Sequence, residues 1–282
     1  MIKLKLLRFF MFLVFRSRGS VISPFGSLMS PTEFSMQNSP KMQSRLSEFK
    51  NLVRPVVLPS KQLKRYGSKG DGGYVVARAA IRKSKFLISG GIENNNEFEF
   101  ELAKLGIVGI QIDNSIDSPP KVHKNLKFIR ATIGDLAEVN ISQIVSDFPK
   151  KEFGILKLDI EGSEYLALKQ IATFDKFNVI IIEFHELHRM VNDDFWVSFK
   201  NTLTTLKKNH DVIYISANNC CGYSVLGGIP IPNVLEITLI RRSIVFGRNF
   251  SKTNTLYPTS MNANYQNRAH LDISHLFPEF TL

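Results

Sequence analysis

Ile155-Leu156-Lys157-Leu158-Asp159-Ile160-Glu161-Gly162-Ser163-Glu164 is an apolar run that stops abruptly in two closely spaced acids and a glycine. A short apolar run bounded by turn chemistry reads as a strand buried on both faces of a parallel sheet. The chemistry sits at its end. Asp159 and Glu161 are two positions apart, so they reach a common cavity if the chain bends at Gly162. Glu164 is placed to begin the next helix, where a negative charge complements the N-terminal dipole.

The same pattern recurs on either side. Strands are expected at Lys85–Ser89, Ile107–Ile112, Lys127–Arg130, Ile155–Leu158, Val179–Glu183, Val212–Ser216 and Val234–Ile240, separated for the most part by helix-length amphipathic segments. Between the first two, Phe98, Leu102 and Leu105 recur at helical spacing behind Asn94, Asn95 and Asn96 as caps. A longer helix from about Asp194 to Asn209 carries Trp196, Phe199, Leu203 and Leu206 on one stripe. These apolar positions are assigned to the core. The alternation predicts an α/β fold, a Rossmann-like seven-stranded sheet, mostly parallel, with helices on both faces. No convincing helix separates the final two strands, so the last strand is expected to run antiparallel.

In an open α/β sheet, ligands gather beyond the carboxyl ends of the strands, near the topological switch. After the first of these strands comes Gly90-Gly91-Ile92-Glu93, where two glycines permit a tight turn and a close backbone approach to a ligand, or simply a turn. About twenty residues later the second strand ends in Asp113, an acid placed to accept hydrogen bonds from both hydroxyls of a ribose, or else a solvated acid at a loop start. The phosphate-cradling G-x-G-x-x-G form is absent, which argues against NAD or FAD. After the third strand, Asp135 is positioned either to meet an adenine amino group or to cap a helix beginning near Leu136. Val179-Ile180-Ile181-Ile182-Glu183-Phe184-His185 delivers another acid and a histidine to the same sheet edge. A histidine following a buried strand, beside the strand that carries Asp159, is a candidate catalytic group; the alternative is a histidine that only braces its loop.

Two further strings, Arg65 through Val76, with Asp71-Gly72-Gly73-Tyr74 at its centre, and Ile231-Pro232-Asn233-Val234-Leu235-Glu236-Ile237-Thr238, join Leu156 through Glu164 in the expected order. With Ile181 through His185, they resemble the FkbM family of methyltransferases over about residues 61–242. That resemblance implies S-adenosylmethionine as methyl donor and a hydroxyl acceptor on a sugar, glycolipid or related metabolite. With that donor, the post-strand residues Gly90, Gly91, Glu93, Asp113 and Asp135 are the expected donor contacts. His185 is then the favoured base, with Asp159 and Glu161 positioning donor and acceptor; an acidic pair of this kind can instead hold Mg²⁺ or Ca²⁺. Glu93 departs from the family, whose members generally have glycine there, and its side chain either narrows the donor pocket or bonds the amino-acid part of the donor. The loop Asn218-Asn219-Cys220-Cys221-Gly222 resembles an acceptor-side loop of relatives, though a plain turn explains it equally. The rival reading is a catalytically silent Rossmann-like domain that binds a nucleoside-like ligand or a glycan-assembly partner.

The 282 residues carry 36 Lys and Arg against 25 Asp and Glu, a net charge of +11. The excess lies at the ends. Residues 1–50 hold eight basic side chains against two acids and residues 241–282 five against two, leaving 23 against 21 between them. A nucleic-acid enzyme needs its basic surface on the folded body, so no nucleic-acid partner is expected. Residues 1–59 are therefore read as a basic, apolar segment and linker, 60–242 as the catalytic domain and 243–282 as an extension. The stretch from about Val21 to Pro59 shows no sustained period, and regular structure is expected to begin after it. Phe9 to Phe15, flanked by Arg8, Arg16 and Arg18, is too short to span a bilayer and suits contact with a membrane surface, in an otherwise cytoplasmic protein. The two cysteines, Cys220 and Cys221, are adjacent, a spacing at which a disulfide is strained, and none is expected. No Cys/His cluster has zinc-site spacing.

Overall fold

The computed structural model describes residues 36–37, 39–56, 58–133, 139–244 and 271–277. All seven expected strands form one sheet: β3 (Phe86–Gly90), β4 (Val108–Ile112), β5 (Leu126–Ile129), β6 (Gly154–Leu158), β7 (Phe177–Phe184), β8 (His210–Ala217) and β11 (Leu235–Arg241), in the order β5-β4-β3-β6-β7-β11-β8. The pairs from β5 through β7 are parallel, and β11 runs antiparallel between β7 and β8. Every residue of β3, β6 and β7 is buried, which is why those strands read as continuous apolar runs instead of alternating ones.

Two hairpins escaped the sequence reading. β1 (Leu63–Gly67) pairs antiparallel with β2 (Gly73–Ala77), and β9 (Tyr223–Leu226) with β10 (Ile229–Pro232). Both are short, and their turn residues mask the alternation.

Regular structure also begins earlier than expected. Helix α1 (Pro40–Val53) starts at the Ser39 N-cap, whose hydroxyl accepts from the Met42 N–H, with Pro40 at the first helical position. Met42, Leu46, Phe49 and Val53 recur at helical spacing and are buried; the Phe49 ring lies 5.7 Å from that of Phe199. Arg45, 4% exposed, donates to the Met190 carbonyl at 2.8 Å and pairs with Asp193. One of the basic residues assigned to a terminal extension is thus a fixed part of the domain.

Between α1 and the site the remaining helices are α2 (Arg78–Lys83), α3 (Glu97–Lys104), α4 (Ile141–Ser146), α5 (Glu164–Lys169) and α6 (Asp193–Leu206). In α6, Trp196, Phe199, Leu203 and Leu206 are buried as expected, and the Asn192 side chain accepts from the Phe195 N–H. In α3, Phe98 and Leu102 are buried, but Leu105 is 58% exposed, because the helix ends at Lys104 and its last turn rotates that position to solvent. The N-cap residue is Asn96, whose side chain makes no cap bond and instead donates to Gln111 and the Lys121 carbonyl, while the Asn95 side chain accepts from the Glu97 N–H. Among the described residues no helix is long and apolar enough to cross a membrane.

Candidate active site

β3 lies between β4 and β6, so the chain reverses its winding direction there and the strand ends open a crevice. At Gly91 the backbone turns with φ +74°, and a Cβ would overlap the Asp159 carbonyl oxygen. Only glycine lets the loop after β3 pass this close to the loop after β6. Gly90 is still inside the sheet; its carbonyl accepts from the Asp159 N–H at 3.0 Å, and it supports the crevice without lining it. Glu93 adopts φ +40°, a left-handed conformation in which glycine is easiest, and glycine is the residue the family resemblance leads one to expect there.

Asp113 organises this turn. One carboxylate oxygen accepts from the Ile92 and Glu93 N–H groups at 2.7 and 2.8 Å, and the other from the N–H and hydroxyl of Ser115 at 2.7 and 2.6 Å. A carboxylate has about four acceptor sites, and all are used. Burial pushes the Asp113 carboxyl up, but these four donors outweigh it and hold the group below the usual range.

A first cavity spans the ends of β3, β4, β5 and β6. Ile112, Ala131, Ile133 and Ile160 supply apolar walls, and Asp113, Asn114 and Ser115 supply polar ones. Among the described residues no lysine, arginine or histidine lines it. Such a lining suits a flat base and a ribose, and a donor that carries positive charge and no phosphate. Asp135 lies outside the described residues.

A second cavity adjoins the first and shares Gly91, Glu93, Asp159 and Glu161 with it. Here the structure brings together the three residues named from the sequence: one ligand atom each from Asp159, Glu161 and His185 lies within 4.8 Å of the others. Glu161 has φ +53°, a left-handed residue that turns the chain just ahead of Gly162. His185 follows β7, and its Nδ1 lies 2.9 Å from Glu164 Oε1 and 3.1 Å from the Glu183 carbonyl. Both neighbours are acceptors, which assigns a proton to Nδ1. Nε2 faces Glu161 Oε2 at 3.5 Å. Burial lowers the imidazole pKa, but Glu164, with Asp159 and Glu161, outweighs it and raises the value to about 9. The free site therefore holds an imidazolium at neutral pH.

Other residues of this cavity carried no assigned role in the sequence reading or only a resemblance. Asp71 and Tyr74 come from the β1–β2 hairpin, and the Tyr74 hydroxyl lies 3.4 Å from Asp159 Oδ2. Lys157, its side chain 4% exposed, donates to the Gly91 carbonyl and lies 3.7 Å from Asp159 Oδ2, tying the two loops together. A lone lysine inside an apolar strand was the available signal. Asn218 donates to Glu183 Oε1 at 2.6 Å, which fixes the 218–222 loop against β7. In that loop Cys220 and Cys221 are bonded to each other, contrary to expectation. Asn218 accepts from the Cys220 N–H and Asn233 donates to the Cys221 carbonyl, and this tight turn brings the sulfurs together.

The match of residues 93–215 to the methyltransferase FkbM domain, on a Rossmann-like sheet with a cleft at its switch point, supports an S-adenosylmethionine-dependent methyltransferase. The chain carries a methyltransferase FkbM domain, matched by the family model over residues 93–215, a narrower span than the 61–242 of the sequence resemblance. No match was found among curated proteins. Among solved structures, the Methanococcus jannaschii fibrillarin pre-rRNA processing protein aligns with a TM-score of 0.34 at 11% identity, covering 57% of this chain and 68% of that one. Precorrin-6y C5,15-methyltransferase from Geobacter metallireducens GS-15 aligns with a TM-score of 0.29 at 9% identity, covering 78% of this chain and 97% of that one.

Proposed function

We propose that this methyltransferase acts on a hydroxyl of a sugar, glycolipid or related metabolite, with the donor in the first cavity and the acceptor in the second. The observation that carries this reading is the shared wall: Gly91, Glu93, Asp159 and Glu161 belong to both cavities, so two ligands can meet there. Bound S-adenosylmethionine supplies a methyl group whose bond to sulfur breaks, leaving the pair on sulfur, as the acceptor oxygen bonds the methyl carbon. Alignment contributes much of the rate, and a base that takes the hydroxyl proton contributes the rest.

His185 is our candidate base. Glu164 orients its ring through Nδ1 and leaves Nε2 on the cavity side, facing Glu161. The extra proton is held there by the acidic surroundings, and a cationic ligand at the shared wall offsets that field and moves the imidazole pKa down towards neutrality. Asp159 and Glu161 position donor and acceptor. The clustering of Asp159, Glu161 and His185 also favours a second reading, in which they hold a divalent cation such as Mg²⁺ or Ca²⁺.

Calorimetry with S-adenosylhomocysteine, followed by turnover on hydroxyl acceptors before and after chelation, tests these readings. Binding and chelator-resistant turnover support the base. Turnover lost to EDTA and restored by Mg²⁺ supports the cation. Absence of binding removes the donor assignment, and binding without turnover on any acceptor supports the silent domain.

A further inference from the structure

The chain as a whole is strongly basic, with 36 Lys and Arg against 25 Asp and Glu, yet its acceptor cavity is acidic. Asp71, Glu93, Asp159, Glu161 and Glu183 line it, from four different parts of the chain. Among the described residues, only two cationic side chains share the lining, and both are engaged. Lys157 is committed to the Gly91 carbonyl and stands beside Asp159, and His185 is held between Glu164 and Glu161.

A further acid stands behind the wall. Glu236 is the cross-strand partner of Glu183; its Oε1 is buried with no hydrogen-bond partner among the described residues, and burial pushes its carboxyl up to about 8, so it repels an anion by desolvation and not by its own charge at neutral pH. Burial pushes the carboxyls of Glu93, Glu161 and Glu183 up, and neighbouring acids push each of them in the same direction. Acidic side chains outnumber cationic ones at this wall, and its low-dielectric surroundings focus the field of those that are ionised.

Resting on the acceptor assignment made above, we propose that the hydroxyl-bearing acceptor carries no negative charge at the end that enters the cleft, so phosphorylated and carboxylated acceptors are excluded. A phosphate or uronate would meet a wall lined by Asp71, Glu93, Asp159, Glu161 and Glu183, and among the described residues both cations of that wall are already engaged. A neutral polyol instead offers O–H donors to carboxylate oxygens, the acceptor-only groups that line the wall. Discrimination comes from repulsion of the wrong ligand as much as from attraction of the right one.

The test uses the full chain with excess S-adenosylmethionine and reads S-adenosylhomocysteine release on matched neutral glycosides, sugar phosphates and uronates. Turnover confined to the neutral set, with kcat/KM at least about tenfold above any anionic counterpart, is expected. Equal or better turnover of a phosphate or uronate overturns the proposal. If no member of the set is turned over, calorimetry decides, comparing sinefungin, which places an ammonium where the donor carries its methyl, with S-adenosylhomocysteine. Sinefungin binding at least about tenfold tighter supports a cation-favouring cleft, and equal or weaker binding overturns it. Failure of both compounds to bind is a different result, because it removes the donor assignment itself.

Discussion

Nδ1 of His185 lies 2.9 Å from Oε1 of Glu164, a side chain with no solvent exposure at the first position of α5. The same Glu164 oxygen accepts from the Ile160 and Gly162 N–H groups, so one carboxylate holds both the acid-bearing turn and the imidazole. The histidine is oriented by a group that touches neither cavity.

This pair predicts a pH signature. The folded pKa of His185, about 9, lies above its ordinary 6.5, so the pair's stabilisation is complete below about pH 6.5 and is lost as the pH rises through 9. Breaking one partner of a buried pair costs on the order of 3 kcal/mol. Glu164→Gln should thus destabilise the protein most at the acid end of that window, by urea denaturation, and least above it. A cost that does not vary with pH would sink the account. His185→Gln should lower kcat by about 100-fold or more while leaving affinity for S-adenosylhomocysteine within about threefold. A loss confined to donor affinity would remove the base assignment.

Asp113 holds the Ile92–Glu93 turn and Ser115 through four hydrogen bonds. Asp113→Ala should weaken S-adenosylhomocysteine binding by more than about tenfold, close to 1.4 kcal/mol, without unfolding the domain. Because the carboxylate is saturated, a direct bond to a ribose requires the Ser115 hydroxyl to turn away. Ser115→Ala should therefore preserve or improve affinity if Asp113 meets the ribose, and weaken it if Asp113 serves only the loop. Unchanged affinity in Asp113→Ala ends both roles.

Glu93 sits at φ +40°, and a non-glycine residue in the left-handed region costs on the order of 1 kcal/mol. Glu93→Gly should keep the melting temperature or raise it by about 2 °C. A fall of several degrees would show that the Glu93 side chain contributes stability that outweighs its backbone.

The basic, apolar stretch at residues 1–20 lies outside the described residues, and its membrane role is a proposal from sequence alone. Flotation with phosphatidylserine vesicles should carry the full chain and leave behind a protein lacking residues 1–20. Both proteins should bind S-adenosylhomocysteine alike. A full-length chain that stays at the bottom of the gradient disproves the idea.

Some of this molecule was determined by sequence alone. Strands buried on both faces must be apolar throughout, so Ile155–Leu158 and Val179–Glu183 announce themselves, and parallel winding then sends Asp159, Glu161 and His185 to one edge. Helix α1 was legible in principle from Met42, Leu46, Phe49 and Val53, but its polar flanks hid the period. Tertiary structure alone decided the chemistry of the side chains. Hydrogen-bond saturation at Asp113, the commitment of Lys157 to Gly91 and the charge on His185 depend on groups that folding brings close from elsewhere in the chain. Burial and neighbouring charges act through space over a few ångströms, and residue order along the chain does not specify those distances.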